Sequence, residues 1–178
     1  MPTNSLVAEL EKLARDLETE DSQATQISLR EVGEKIAKSM GVNADEVAIL
    51  GVSHRWRHLH FLVPEALKNV GFIPLTSKSA LAARTVREKR PEINNKFTEV
   101  RHASVFEGVK AATTTGESIQ KIISAPIFCE GAVAGVMQVS RKAGSPETAG
   151  ADFTVDELER VVALCQPLGK LVKFLAGE

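Results

Sequence analysis

The chain has 178 residues, of which 43% are hydrophobic and 25% charged, and its formal net charge is −1. This balance is typical of one globular domain and excludes a disordered or fibrous chain. The near-neutral charge creates no field that would recruit nucleic acid or a membrane surface. No apolar run approaches the ~20 residues that span a bilayer, and the N-terminus lacks the pattern of a secretory signal. We therefore expect a cytoplasmic protein.

Residues 1–22 are predicted to form an amphipathic helix that is separate from a domain comprising residues 23–178. The helix carries four leucines at spacings of four, three and four: Leu6, Leu10, Leu13 and Leu17. Such a stripe forms one apolar face of a helix. A second helix is predicted to begin at the capping-box pair Ser28 and Glu31 and to end at Gly41, a usual left-handed stop.

The apolar pattern then changes to the period of two that is typical of strands. Strands are predicted for residues 47–52 and 56–63, and Pro64 ends the second one. A helix is predicted for about residues 77–89, and residues 92–95 form a short extended segment.

Two long strands, at residues 119–129 and 132–141, are predicted to pair as a hairpin through Glu130 and Gly131. An acidic residue followed by glycine between apolar runs is a strong hairpin signal. Gly135 inside the second strand predicts the close approach of another backbone or of a large side chain. Because hairpins dominate and no β-α-β run appears, the sequence predicts an α+β domain on a mostly antiparallel sheet.

The last predicted helix begins at the capping box of Thr154 and Glu157 and runs to about Leu175. Pro167 lies inside this helix. Because proline lacks the N–H that a helix interior needs, its position predicts a kink.

Several segments together resemble the GAF family of small-molecule sensor domains. They are Ile-Pro-Leu at 73–75, Ser-Ala-Leu-Ala-Ala-Arg at 79–84, Arg-Pro at 90–91, Ile-Ser-Ala-Pro-Ile at 123–127, Glu-Gly-Ala-Val-Ala-Gly-Val-Met-Gln-Val-Ser at 130–140 and Asp-Phe-Thr-Val-Asp-Glu-Leu at 152–158. The resemblance implies a twisted antiparallel sheet of five or six strands with the terminal helices on one face. It also implies a ligand pocket on the other face, under the helix and loops of residues 76–116.

Trp56, His58 and His60 alternate along the second predicted strand and therefore share one face. One hypothesis is a metal site with His102 as a third ligand, because two imidazoles at His-x-His spacing can reach one ion. A second hypothesis is that the three side chains form a wall of the ligand pocket. A third is that they lie on a plain surface face or on a face that a helix covers.

A basic and amide-rich segment lies where the resemblance places the roof of the pocket. Arg84 is the candidate for holding an anionic ligand, because its planar fork of donors suits a carboxylate or a phosphate. Asn94 and Asn95 would supply hydrogen bonds, and His102 and Phe106 complete the candidate ligand-binding residues. The alternative is a solvated helix face followed by an ordinary loop.

Three chemistries of the family do not match this sequence. Cyclic-nucleotide-binding members carry Asn-Lys, Phe and Asp-Glu in order, whereas here Asn95–Lys96 and Phe106 are followed by Lys110–Ala111. Bilin-binding members attach the bilin through a cysteine near the pocket loops, but the two cysteines of this chain, Cys129 and Cys165, lie elsewhere. They also do not fit the pocket thiols of methionine sulfoxide reductases, and we expect both to be reduced core thiols.

The sequence thus favours a non-catalytic small-molecule-sensing or regulatory domain, and it specifies neither the ligand nor a cofactor. The signal would pass to a separate signalling protein or through a homodimer formed by the terminal helices. The dimer is expected because the leucine stripe of the first helix, if left uncovered, would be an exposed apolar patch. The alternative is a monomer in which the first helix folds back onto its own chain. One alternative is an enzyme or metal-binding protein that uses His58, His60 and His102. Another is a purely structural dimerisation module.

Overall fold

A six-stranded sheet with helices on both faces forms the centre of the computed structural model, which describes residues 3–16, 22–97 and 118–176. The helices are α1 (Thr3–Asp16), α2 (Ser22–Met40), α3 (Leu81–Glu88), α4 (Val155–Cys165) and α5 (Gly169–Leu175). The strands are β1 (Val47–Ser53), β2 (His58–Val63), β3 (Ile73–Pro74), β4 (Glu92–Asn94), β5 (Ser118–Cys129) and β6 (Ala132–Ala143). Their order across the sheet is β3-β2-β1-β6-β5-β4, with antiparallel neighbours throughout, which confirms the predicted α+β class.

The long hairpin of β5 and β6 supplies two of the central strands. Glu130 and Gly131 join them with φ angles of 53° and 83°. Two successive residues in the left-handed region are the signature of a type I′ turn, whose twist matches that of the strands. The predicted hairpin and its turn are therefore confirmed.

The helices from the two ends of the chain cover one face of this sheet. Leu6 and Leu10 of α1 are only 4% and 2% exposed, and they share a core with Leu164, Leu168 and Leu171 near the C-terminus. Burying one such side chain stabilises a fold by roughly 1.5–3 kcal/mol. Helix α1 is thus an integral part of the core, although the sequence suggested a helix separate from the domain.

This packing bears directly on the predicted homodimer. Leu6 and Leu10 are covered by their own chain, Leu13 is half-buried against the same core, and Leu17 lies outside the described residues. Dimerisation through the terminal helices stays a prediction, but the first two leucines do not supply the exposed patch on which it was based. None of the helices in the part of the chain that the structure describes is long and apolar enough to cross a bilayer.

Helix α5 lies unusually close to the sheet. Val172 packs over Gly135 of β6, where an added Cβ would lie 2.6 Å from Val172 Cγ1 and would overlap the carbonyl oxygen of Leu50. The close approach predicted for Gly135 is thereby explained, because only a hydrogen atom fits beneath the helix.

Helix α3 covers the opposite face, where it packs against β5 and β6. This second apolar cluster is smaller than the first and includes Leu50, Val52, Leu59, Phe61, Ile73, Ala82, Ala83, Val86 and Val136. The two clusters use alternate residues of the same strands, as the period of two requires.

Two predicted element boundaries are wrong. Helix α2 begins at Ser22, so Ser28 lies inside the helix and is not its cap. The intervening residues contain neither glycine nor proline, and nothing in them breaks a helix. Strand β2 begins at His58, so Trp56 belongs to the preceding turn, because Arg57 has a φ of 55° and interrupts the extended backbone.

The C-terminal helix agrees with its two local signals. Thr154 Oγ1 accepts a hydrogen bond from the N–H of Glu157, and Glu157 Oε1 accepts one from the N–H of Thr154. This reciprocal pair is the predicted capping box. Pro167 lies in a short 3₁₀ turn, Gln166–Leu168, that separates α4 from α5, so the predicted kink divides the helix in two.

We expect Gly135→Ala to destabilise the protein, because the added methyl group must displace either the backbone of β1 or helix α5. The free energy of unfolding should fall by about 1–3 kcal/mol or more. Gly144→Ala is the matched control, since no atom lies within 4 Å of an added Cβ there. It should change stability by less than about 0.5 kcal/mol. Urea unfolding followed by circular dichroism measures both, and equal stability of the two variants would contradict the close α5 contact.

Candidate functional site

The structure divides the predicted site residues between the two faces of the sheet. His60 of β2 pairs with Gly51 of β1, and an added Cβ at Gly51 would contact both the His60 ring and Ala176 at the end of α5. The neighbouring residues Leu59 and Phe61 belong to the cluster under α3. His60, and His58 two residues before it, therefore lie on the face of the terminal helices.

The pocket predicted under the helix and loops of residues 76–116 would accordingly lie on the other face of the sheet from these histidines, and it stays a prediction. The alternation of side chains along β2 fixes His58 and His60 on the face opposite to α3. Arg84 lies on α3, so the sheet itself separates it from the two histidines.

The predicted ligand donors outside β2 make bonds within the protein. Arg84 donates two hydrogen bonds to the carboxylate of Glu92, at 2.9 Å and 2.8 Å. The Asn95 side chain bonds the backbone of Phe153, accepting from its N–H at 2.9 Å and donating to its oxygen at 3.2 Å. Asn94 Oδ1 accepts from the N–H of Lys96 at 2.8 Å. A ligand-binding role for these side chains stays a prediction.

His102 and Phe106 lie outside the described residues. Within the described ranges, no group of three or more His, Cys, Asp and Glu side chains is arranged to hold a metal ion. The metal hypothesis therefore depends on His102.

His58 and His60 line an open groove of about 560 Å³ that we call the histidine groove. The His58 ring stacks on Phe72, with centroids 4.1 Å apart and an angle of 22° between the ring planes. It meets the His60 ring edge-on at 5.9 Å. The groove is lined by Ser53, Trp56, His58, His60, Phe72 and Ala176.

Two aromatic side chains of the groove remain largely exposed. Trp56 is 66% exposed and Phe72 60% exposed. The Arg55 guanidinium lies 5.1 Å from the centre of the Trp56 ring, a cation–π distance. Sequence reasoning selected Trp56 but missed Phe72. The sequence did contain an indication of the position of Phe72. Ile73 beside it is an apolar core residue, and alternation places the Phe72 side chain on the opposite face.

His60 is the polar group of the groove whose interactions are incomplete. Its Nδ1 is buried and has no hydrogen-bond partner. Burial is the main cause that lowers the pKa of His60, and electrostatic interaction with His58 and Lys68 lowers it further. The imidazole is consequently neutral at pH 7. A buried polar atom left without a partner costs about 1–3 kcal/mol, so this arrangement needs a reason.

A buried network of polar side chains on the α3 face was also not predicted from the sequence. Thr85 Oγ1 lies 2.7 Å from Ser124 Oγ, which accepts a further hydrogen bond from Gln138 Nε2 at 3.3 Å. Thr85 also donates to the carbonyl oxygen of Leu81. Because these groups bond one another, the network holds α3 against β5 and β6.

Both thiols are unbridged, as predicted from the sequence, but Cys129 is only partly buried at the end of β5, so it is not the core thiol that we expected. Cys165 is enclosed in the core, and burial raises the pKa of its thiol to about 12. A thiol that stays protonated is a poor nucleophile. Cys165 therefore contributes packing and not chemistry.

No protein-family model matches the sequence, and no curated protein matches it either. Solved structures do resemble it. The GAF domain of an Acinetobacter phosphoenolpyruvate-protein phosphotransferase has a TM-score of 0.65 and 16% identity, covering 98% of this chain and 96% of that chain. Part of a methyl-accepting chemotaxis protein has a TM-score of 0.67 and 12% identity, covering 96% of each chain.

A third similar structure is the free methionine-R-sulfoxide reductase of Neisseria meningitidis in complex with its substrate. Its TM-score is 0.64 at 14% identity, and the match covers 97% of this chain and 89% of that chain. At these identities the likeness shows the fold. The chain has a GAF-like fold, as the sequence motifs indicated, and the match extends over nearly all of its length.

The lowered pKa of His60 predicts a specific pH dependence of stability. The unfolded chain binds a proton at His60 more readily than the folded one does. Stability should therefore fall as the pH drops through the ordinary histidine pKa of about 6.5 towards the lower folded value. His60→Phe should remove this part of the slope, whereas Phe72→Leu, which leaves the imidazole in place, should keep it. Urea titrations between pH 5 and pH 8 measure the slopes, and an unchanged slope in His60→Phe contradicts a desolvated His60.

Proposed function

We propose that this chain is a non-catalytic, small-molecule-sensing or regulatory domain whose ligand binds in the histidine groove. The main support for the proposal is the groove itself, which is walled by exposed aromatic rings and lined by the half-buried ring of His60. Because Nδ1 of that ring is enclosed without a partner, its other nitrogen is the atom that a bound molecule can reach. An aromatic wall that faces solvent also gains stability when it is covered.

The chemistry of the walls favours a planar ligand. Trp56 and Phe72 line the groove with aromatic rings, and His58 is already held in a stack with Phe72. Aromatic rings pair by offset stacking or by edge-to-face contact, and each such pair adds about 0.5–1.5 kcal/mol beyond the area it buries. A flat ring inserted beside Trp56 would use these surfaces, whereas a small aliphatic molecule would leave them unused.

The position of the groove supports a regulatory role. Ala176, directly after α5, forms one wall of the groove, and α5 is held tightly against the sheet. A ligand in the groove would therefore touch the end of the C-terminal helix and bias its position. The signal would pass from this helix to a separate signalling protein or through a homodimer built on the terminal helices.

The similar structures of a phosphotransferase GAF domain and of part of a methyl-accepting chemotaxis protein are in keeping with a regulatory role. An enzyme or metal-binding protein that uses His58, His60 and His102 has no further support from the described residues. A purely structural dimerisation module would be expected to fill its groove with side chains. Trp56 instead stands at the wall and is largely exposed.

Trp56 also provides the means of testing the proposal. It is the sole tryptophan of the chain, and there is no tyrosine, so the intrinsic fluorescence above 300 nm reports on the groove alone. Titration with a library of planar aromatic molecules should give a saturable change in this fluorescence. Native mass spectrometry of gently purified protein should show a bound small molecule of the same type.

Two variants distinguish the two faces of the sheet. His60→Leu should weaken binding of any ligand found by at least about tenfold, which is the loss expected for one buried hydrogen bond and its packing. Arg84→Gln, on the other face, should leave the affinity unchanged. A ligand that depends on Arg84 and not on His60 would contradict the proposal and support a pocket under α3.

A further inference from the structure

We infer that the ligand of the histidine groove is a small aromatic carboxylate, an inference that rests on the proposed function. The three observations that lead to it are the bonding of the His60 ring, the charges around the groove and the character of its walls.

The first observation concerns the proton that the neutral His60 ring carries. Nδ1 is enclosed and meets no acceptor. A buried N–H without an acceptor is rarer and more costly than a buried acceptor without a donor. The proton is consequently held on Nε2, the other ring nitrogen. Because His60 lines the groove, Nε2–H is the donor that a ligand can reach, and the ligand must offer an acceptor.

The second observation concerns the charges. Lys68 is the charged side chain that acts electrostatically on His60, and its positive charge helps to lower the pKa of that ring. The Arg55 guanidinium stands over Trp56 at the rim. None of the six residues that line the groove is an Asp or a Glu. An acceptor that carries a negative charge is therefore favoured over a neutral one.

The third observation decides between an aromatic acid and a simple anion. An inorganic anion would use Nε2–H and the positive surroundings, but it would leave Trp56 and Phe72 exposed. Phosphate is usually held by several donors at once, such as an arginine fork or a run of backbone N–H groups. None of the six residues that line the groove is an arginine or a lysine, and four of them carry flat rings, so the lining matches a single carboxylate on a flat ring better than a phosphate.

The test compares acids with amides of the same shape. The probes are benzoate with benzamide, nicotinate with nicotinamide, and trans-cinnamate with trans-cinnamamide. Binding is followed by the shift of the Trp56 indole N–H signal in two-dimensional NMR spectra, which is the one indole signal of this chain. Each acid should bind about tenfold more tightly than its amide, because a hydrogen bond to an ionised acceptor is stronger than one to a neutral acceptor.

The variants separate a specific role of His60 from a structural one. His60→Phe keeps a ring but removes the donor, so the preference for acid over amide should disappear. His60→Gln should retain part of the preference, since the Gln amide N–H lies near the position of Nε2. Lys68→Gln should weaken the acids several-fold and leave the amides unchanged. Lys78→Gln, an exposed lysine outside the groove, should change neither.

Equal affinities of acids and amides, with both still dependent on His60, would overturn the carboxylate inference and leave the groove as a site for planar molecules. Retention of the full acid preference in folded Lys68→Gln and His60→Phe would also overturn it. If none of the six probes shifts the Trp56 signal, the proposed groove site fails together with its ligand class.

Discussion

The contact between α5 and the middle of the sheet determines how the rest of this chain is arranged. Three residues on one side of the helical segment meet the sheet at short range, namely Gly169, Val172 and Ala176. Gly169 lies against the backbone of Phe128, Val172 over Gly135, and Ala176 over Gly51. Spacings of three and four place these residues on one helix face. Because a glycine stands on one side of each contact, the helix comes close enough to bury Leu168 and Leu171, against which α1 then packs.

The same contact explains where the histidine groove lies. The helix ends at Leu175, but β1 and β2 continue to the turn that joins them. The last residues of this hairpin on the helix face, Ser53 and His58, therefore extend beyond the cover of α5. The groove forms at this step, with Ala176 as one wall and the rings of Trp56 and Phe72 at its outer side. If α5 covered the whole of this face, the groove would be closed. If α5 were one turn shorter, apolar core residues would be exposed.

Local signals in the sequence were sufficient for much of the fold. The Glu130–Gly131 turn, the Thr154 capping box and the kink at Pro167 each depend on residues close together in the chain, and each prediction is confirmed. The grouping of His58 with His60 is also local, because it follows from alternation along one strand. The start of α2 was misplaced because the Ser28 pattern matches a cap but the residues before it continue the helix.

The assignment of the site to a face of the sheet could not be predicted in this way. Which face carries His60 depends on the pairing of His60 with Gly51 and on the helix that covers Gly51, and both are contacts between distant parts of the chain. The buried polar network of Thr85, Ser124 and Gln138 was not predicted for a similar reason. Its members come from α3, β5 and β6, and none is distinctive in its own segment.

The central claim is that the ligand binds on the α5 face of the sheet and not beneath α3. Methyl NMR spectra of protein labelled at alanine and valine test it most directly, recorded before and after saturation with a small molecule that the protein binds. Ala176 lines the groove, whereas Val86 lies in the core under α3 on the opposite face. We expect a large shift of the Ala176 methyl signal and no shift of the Val86 signals. A shift at Val86 with Ala176 unchanged would contradict it.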